Sequence, residues 1–274
     1  MRMKIKDWIL VLIASFMFGV GTKYLFHYLH IKSNAWFYLL VPVVMLILYK
    51  LISKEKWKDY GIKNLNSKNI KLGFYFLFAL FPIALIGRLL DPSFDVWYAQ
   101  QNNLLVFSGL ISMSMFMVLY VIKEELFERS LIQSKLSRSY GSFLTAIIVS
   151  INFALLHFYF PRVGLNHVVA TVISVFFGSL VIVLLYEITK SLFTTIITHL
   201  VYNVIIIWQM FLHANNMILA EVLFWVVFGI LFALTYKKVV GEIKKIKIKV
   251  KLGYLDWVFI LIFVLVLPLV MIFL

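Results

Sequence analysis

The chain contains no cysteine in its 274 residues. That excludes disulfides, thiolate catalysis and any Cys-ligated metal site. Charge is scarce as well, at 14% of residues, and only 12 residues are acidic. A soluble domain carries roughly a quarter charged residues, so a large water-exposed surface has little to be built from. There is no Gly/Ser linker, no low-complexity tract and no internal repeat. One compact domain over 1–274 is the economical reading. The absence of inverted repeats and of Gly- or Pro-broken helices also argues against a transporter.

What is present is apolar. Hydrophobic residues make up 63% of the chain, with a mean hydropathy of +0.99. A water-soluble fold has nowhere to hide that much apolar surface. The apolar residues come in runs of about 18 to 22, the length that crosses a hydrocarbon core about 30 Å thick. The runs lie near 7–29, 35–52, 72–90, 104–123, 142–160, 167–187, 191–212, 216–236 and 254–274. They predict an all-α fold, a polytopic transmembrane bundle of about eight or nine helices in the cell membrane. The only real loops between them are Lys50–Lys71 and Lys237–Lys251. The N-terminal run follows Arg2, Lys4 and Lys6 but has no small-x-small cleavage site, so it reads as an uncleaved first helix.

Basic residues predict the orientation. With a cytoplasmic N-terminus, segments 1–7, 50–71, 123–138, 190 and 237–251 fall inside and hold 22 of the 26 Lys and Arg. Lys23, Lys32, Arg88 and Arg162 remain outside. This asymmetry accounts for the net charge of +14 without nucleic acid. The strip Lys244-Lys245-Ile246-Lys247-Ile248-Lys249-Val250-Lys251 reads either as a surface for anionic headgroups or as a stop-transfer loop that fixes topology. Trp97, Tyr98 and Trp257 suit an aromatic belt. His27, His30, His167 and His213 fall near interfaces and read as solvated or headgroup-facing. Glu187, at a helix end, calls for no functional account.

Charges inside apolar runs are expensive, and they are usually paired or functional. The densest group is Lys123-Glu124-Glu125-Leu126-Phe127-Glu128-Arg129, which continues the apolar stretch 104–120. Glu125 and Arg129 are i, i+4 and predict an ion pair along one helix face. Glu124 lies about 100° round from Glu125, so it is available to another partner. Phe153 and His157 share a face of the fifth run, as do His199 and Asn203 in the seventh. Ser139, Gly141 and Ser142 predict a turn near 140–141. Glu124 and His157 are equidistant from it, and two continuous arms bring them together roughly 24 Å from the hairpin tip. The expected site is therefore intramembrane and opens toward the cytoplasm. A glutamate is a general base for water and a histidine can orient that water. An imidazole and an amide one turn apart stabilise an oxyanion, and a low-dielectric cavity strengthens that effect. Together these groups suit hydrolysis of an amide bond. Taken singly, each has a plainer reading: Glu125–Arg129 as a structural ion pair, Asn203 as a helix–helix hydrogen bond, and Phe153 as packing.

Glu124-Glu125-x-x-x-Arg129, Phe153-x-x-x-His157 and His199-x-x-x-Asn203, each on its own membrane helix, resemble the CPBP family. These are the type II CAAX prenyl endopeptidases and bacteriocin-processing proteins, also called the Abi family. The likeness spans about 104–208 and includes Phe177-Gly178 through Tyr186 and Ser191-Leu192-Phe193. It implies an intramembrane endopeptidase acting on membrane-embedded peptides or proteins. Glu124 would activate water with His157, His199 and Asn203 would form the oxyanion site, and Glu125 and Arg129 would hold the architecture. Relatives are often labelled metalloproteases, and Glu124, His157 and His199 offer a three-ligand zinc alternative. The metal-free reading is preferred because no ligand pair has the His-Glu-x-x-His form. Glu128 stands where the family has an apolar aromatic, and Ser130 where it has glycine. Glu128 is i, i+4 from Glu124 and predicts repulsion between the carboxylates. It also keeps open a non-catalytic alternative, a bacteriocin-immunity or regulatory binding protein.

Overall fold

The computed structural model describes residues 5–18, 35–63, 65–91, 99–100, 104–157, 165–246 and 254–266. Lys23, His27, His30, Lys32, Trp97, Tyr98, Arg162, Lys247, Lys249, Lys251 and the His167 side chain lie outside the described residues. Among the described residues there is no strand, and the chain is an all-helical bundle. In order, the helices are α1 (Ile5–Phe16), α2 (Ala35–Ser53), α3 (Ser67–Leu90) and α4 (Phe107–Glu125). They continue with α5 (Ser134–Tyr140), α6 (Ser142–Leu156), α7 (Leu165–Thr189) and α8 (Leu192–Ala214). The last two are α9 (Ile218–Ile243) and α10 (Tyr254–Leu261).

Four of the described helices are long and apolar enough to cross a membrane: α3, the 168–189 part of α7, α8 and α9. Large apolar side chains face outward on several helices, while many polar and charged groups are buried beside the apolar core. On α9, Ile218, Leu219, Val222, Leu223, Ile230 and Leu234 are all exposed, whereas Glu221 is buried. The eight residues Leu126–Gln133 are all buried, although four of them are polar or charged. Lipid as the surrounding solvent explains this pattern, because the outward apolar side chains need no protein partner.

Between α4 and α5 the chain stays helical but widens into a π segment, Leu126–Gln133. The rod therefore runs from 107 to 140 with one π insert, which begins directly after Glu124 and Glu125. π turns of this kind recur at functional sites. At Gly141 (φ 78°) the chain reverses into α6, the predicted hairpin. Trp8 Nε1 donates to the Tyr140 hydroxyl at 2.9 Å, and that hydroxyl donates to Asp256 at 2.6 Å. α1 and α10 are thereby pinned to the hairpin end.

Two glycines let the helices carrying polar groups approach closely. A Cβ on Gly73 of α3 would lie 2.6 Å from Thr198 Oγ1, so α3 rests on α8 one residue before His199. Gly61 (φ +76°) would place a Cβ 2.7 Å from the Tyr186 ring, and its carbonyl accepts the amide of Leu192 at 2.9 Å. Ser130, where the resemblance leads to an expectation of glycine, donates its hydroxyl to the Tyr60 carbonyl at 2.9 Å. The 57–61 turn is thus fastened under the π segment.

Candidate active site

α4, α6 and α8 bring the three motifs to one cavity of about 320 Å³. Its wall includes Glu124, Arg129, Phe153, His157, His199 and Asn203. Glu124 is 2% exposed and sits between two imidazoles from different helices. His157 Nε2 is 3.7 Å from its Oε1, and His199 Nε2 is 3.8 Å from its Oε2. Both distances exceed a direct hydrogen bond and leave the bonding capacity of the carboxylate facing shared space. Oε1 makes no hydrogen bond to any described residue.

Each imidazole is oriented from behind. His157 follows the last residue of α6, and its Nδ1 lies 2.8 Å from the Phe153 carbonyl. A carbonyl only accepts, so Nδ1 carries the hydrogen and Nε2 is the ring atom turned toward Glu124. The Phe153 ring is 4.4 Å from the imidazole centroid and stacks on Phe18 at 5.8 Å, which fixes the ring plane. His199 Nδ1 lies 2.9 Å from Glu125 Oε1. The other oxygen of Glu125 accepts from Arg129 Nε at 3.1 Å. With Nδ1–H given to Glu125, Nε2 is the ring atom that His199 presents to the cavity. The predicted Glu125–Arg129 pair is thus buried, 1% exposed on both sides, and carries His199 on its far side. Asn203 lines the same cavity, with Nδ2 4.0 Å from Met117 Sδ.

The donor set can be tested for zinc. Tetrahedral zinc needs three donors converging at about 2.0–2.2 Å from one point. Among the described residues no group of three His, Asp or Glu meets that requirement. His199 Nδ1 lies on Glu125 and His157 Nδ1 on the Phe153 carbonyl, outer contacts that ligating imidazoles also make, and both Nε2 atoms face Glu124. Glu124, His157 and His199 are therefore the residues that would hold a zinc ion at this site.

Glu128 is fully buried and does not line the cavity, and the like-charge interaction with Glu124 that its spacing predicts is present. Neither of its oxygens is hydrogen bonded to a described residue. Three other expectations change. His213 is not a solvated interfacial residue: its Nδ1 lies 3.0 Å from Glu221 and 2.6 Å from Arg88 Nη2. Arg88, expected as an exterior charge, pairs with Glu221 and reaches the cavity wall together with Gln209. Glu187 is buried and accepts hydrogen bonds from Gln133 and Lys190. The only signal in the sequence for these partners is an acidic residue at the end of an apolar run, which does not reveal what it meets. Trp257 is 53% exposed, as an interfacial aromatic requires.

The fold is a helical membrane bundle whose cavity gathers the three motifs. Residues 106–205 match the family model of type II CAAX prenyl endopeptidase Rce1-like proteins, which bears out the resemblance that the three motifs carry. No curated protein and no solved structure matches the chain.

Proposed function

We propose that this protein hydrolyses peptide bonds of membrane-associated peptides or proteins by a water that Glu124 and His157 activate, without a metal. The observation that carries this reading is the Glu124 carboxylate held between two imidazoles from separate helices inside an apolar cavity. Glu124 Oε1 and the neutral His157 Nε2 both accept, so one water can donate a hydrogen to each and turn its lone pair to a carbonyl carbon. As the C–O bond forms, the proton passes to Glu124. The oxyanion is met by His199 Nε2–H and Asn203 Nδ2–H. When the C–N bond breaks, Glu124 returns the proton to the leaving amine.

The cavity has room for a peptide. Along α8 it runs from His199 to Gln209, ten residues and about 15 Å, the length of roughly four extended residues. The N-terminus faces the cytoplasm in this reading, and the basic loops meet anionic headgroups.

The test is cleavage of a single-span reporter peptide by purified protein in proteoliposomes. Glu124→Gln, with and without chelator, is compared with wild type. Loss of a general base predicts a fall of about 10²- to 10⁴-fold in kcat, with wild type indifferent to chelator. Sensitivity to chelator would move Glu124, His157 and His199 into metal ligation. If wild type cleaves no reporter while Glu124→Gln keeps the cellular phenotype, the protein is a binding protein.

A further inference from the structure

The residues that orient His199 do not end at Arg129. Arg129 Nη1 donates to Gln133 Oε1 at 3.4 Å. The Gln133 amide nitrogen donates to Glu187 Oε1 at 2.8 Å and to the Val183 carbonyl at 2.9 Å. Glu187 Oε2 accepts from Lys190 at 2.5 Å. An unbroken sequence of polar contacts therefore runs from Lys190, 46% exposed at the α7–α8 turn, to the ring that faces Glu124. Gln133 is fully buried and the Glu187 side chain is 0% exposed. Groups so deeply desolvated are costly unless their partners are fixed.

We propose that Gln133 and Glu187 are positioning residues of this site, holding His199 in orientation and tautomer through Arg129 and Glu125. This rests on the hydrolytic reading above. Glu125 can hold the imidazole only where Arg129 holds Glu125, and the guanidinium is planar with its donors in a fixed fork. With one nitrogen on Glu125 and another on Gln133, the plane of that fork is set by two points. The Gln133 amide is in turn set by two acceptors on α7. Both acceptors take hydrogens only, so NH2 turns to α7 and oxygen turns to arginine. Without Glu187 the amide keeps one of its two anchors, the Val183 carbonyl, and is free to swing about it. Glu125, the His199 ring and the alignment of the oxyanion donor then loosen together. Glu187 and His199 flank the same short turn, so α7, α8 and the π segment are registered against one another at this point.

The test combines kinetics with a signal from the ring. Glu187→Leu, Glu187→Gln and Gln133→Met are purified beside wild type and Glu124→Gln, and folding is verified by helicity and thermal unfolding. Each is assayed for reporter cleavage over a pH series, and the ¹⁵N shifts of the His199 imidazole are recorded. Misplacing an oriented catalytic group by up to about 1 Å predicts a fall of about 10- to 100-fold in kcat for Glu187→Leu and Gln133→Met. KM should stay within about twofold and the His199 ring signals should move. Glu187→Gln, which can still accept from Gln133, should restore kcat to within about threefold. Wild-type kcat and an unmoved His199 signal in either folded variant, with Glu124→Gln inactive, would overturn this proposal alone. Wild-type cleavage by Glu124→Gln would overturn the hydrolytic reading instead. The ring signal still decides the positioning role in that case. If Glu187→Leu does not fold, Gln133→Met carries the same two outcomes.

Discussion

Replacing Arg129 by methionine tests whether the buried ion pair is structural, catalytic or both. The guanidinium and the Glu125 carboxylate are each 1% exposed and 3.1 Å apart. Removing the cation leaves a carboxylate that water cannot reach, with the His199 imidazole 2.9 Å away. Breaking one side of a buried pair destabilises by about 3–5 kcal/mol, a large part of a total stability of about 5–15 kcal/mol. The double variant Glu125→Gln/Arg129→Met removes both charges at nearly constant shape. Because an uncharged buried pair carries no such penalty, it should regain at least about 2 kcal/mol over Arg129→Met. Activity should not return, because a glutamine in place of Glu125 gives His199 a neutral acceptor and no anion to support its imidazolium. Thermal unfolding in detergent, followed by tryptophan fluorescence, reads stability, and reporter cleavage reads function. The reasoning is refuted if Arg129→Met stays within about 1 kcal/mol of wild type, or if the double variant is less stable than the single one.

Asn203→Leu should cut kcat by about 10²- to 10³-fold, the effect of losing one oxyanion donor, while reporter binding measured with the Glu124→Gln background changes little. Gly73→Val should reduce cleavage by pushing α8 from α3 beside His199, since even a Cβ there lies 2.6 Å from Thr198 Oγ1; unchanged activity would mean the two helices separate without moving the site. In the 54–61 loop, burial works to raise the Glu55 carboxyl, but Lys135, Tyr60 and Arg138 together hold it below the usual range. A depressed folded-state value means the stability it adds is full above the unfolded value of about 4.3 and is lost as pH falls through the lower folded value. Acid titration of unfolding should therefore be shallower in Glu55→Gln in that window; an identical slope in both proteins would show that Glu55 is not linked to folding.

Much of this site was legible in the sequence because its signals are local. An i, i+4 spacing puts Glu125 with Arg129, Phe153 with His157, and His199 with Asn203 on shared faces whatever the helices later touch. Equal distance from the Gly141 turn brought Glu124 opposite His157, and the two are 3.7 Å apart. The π winding of 126–133 was not legible, because no spacing of residue types in the sequence signals it.

Composition and run length alone determined that the chain is a helical membrane bundle, because lipid admits apolar surface outward and backbone polar groups must be satisfied within each helix. The motifs alone determined which residues share a face. Only the tertiary structure decided that His199 is held through Glu125, that Gln133 meets Glu187 across 54 positions, and that Arg88 and His213 share Glu221. Helical periodicity says which way a side chain leaves its own helix. Which helix receives it is settled by packing between segments far apart in the chain, where each buried polar group must find its partner.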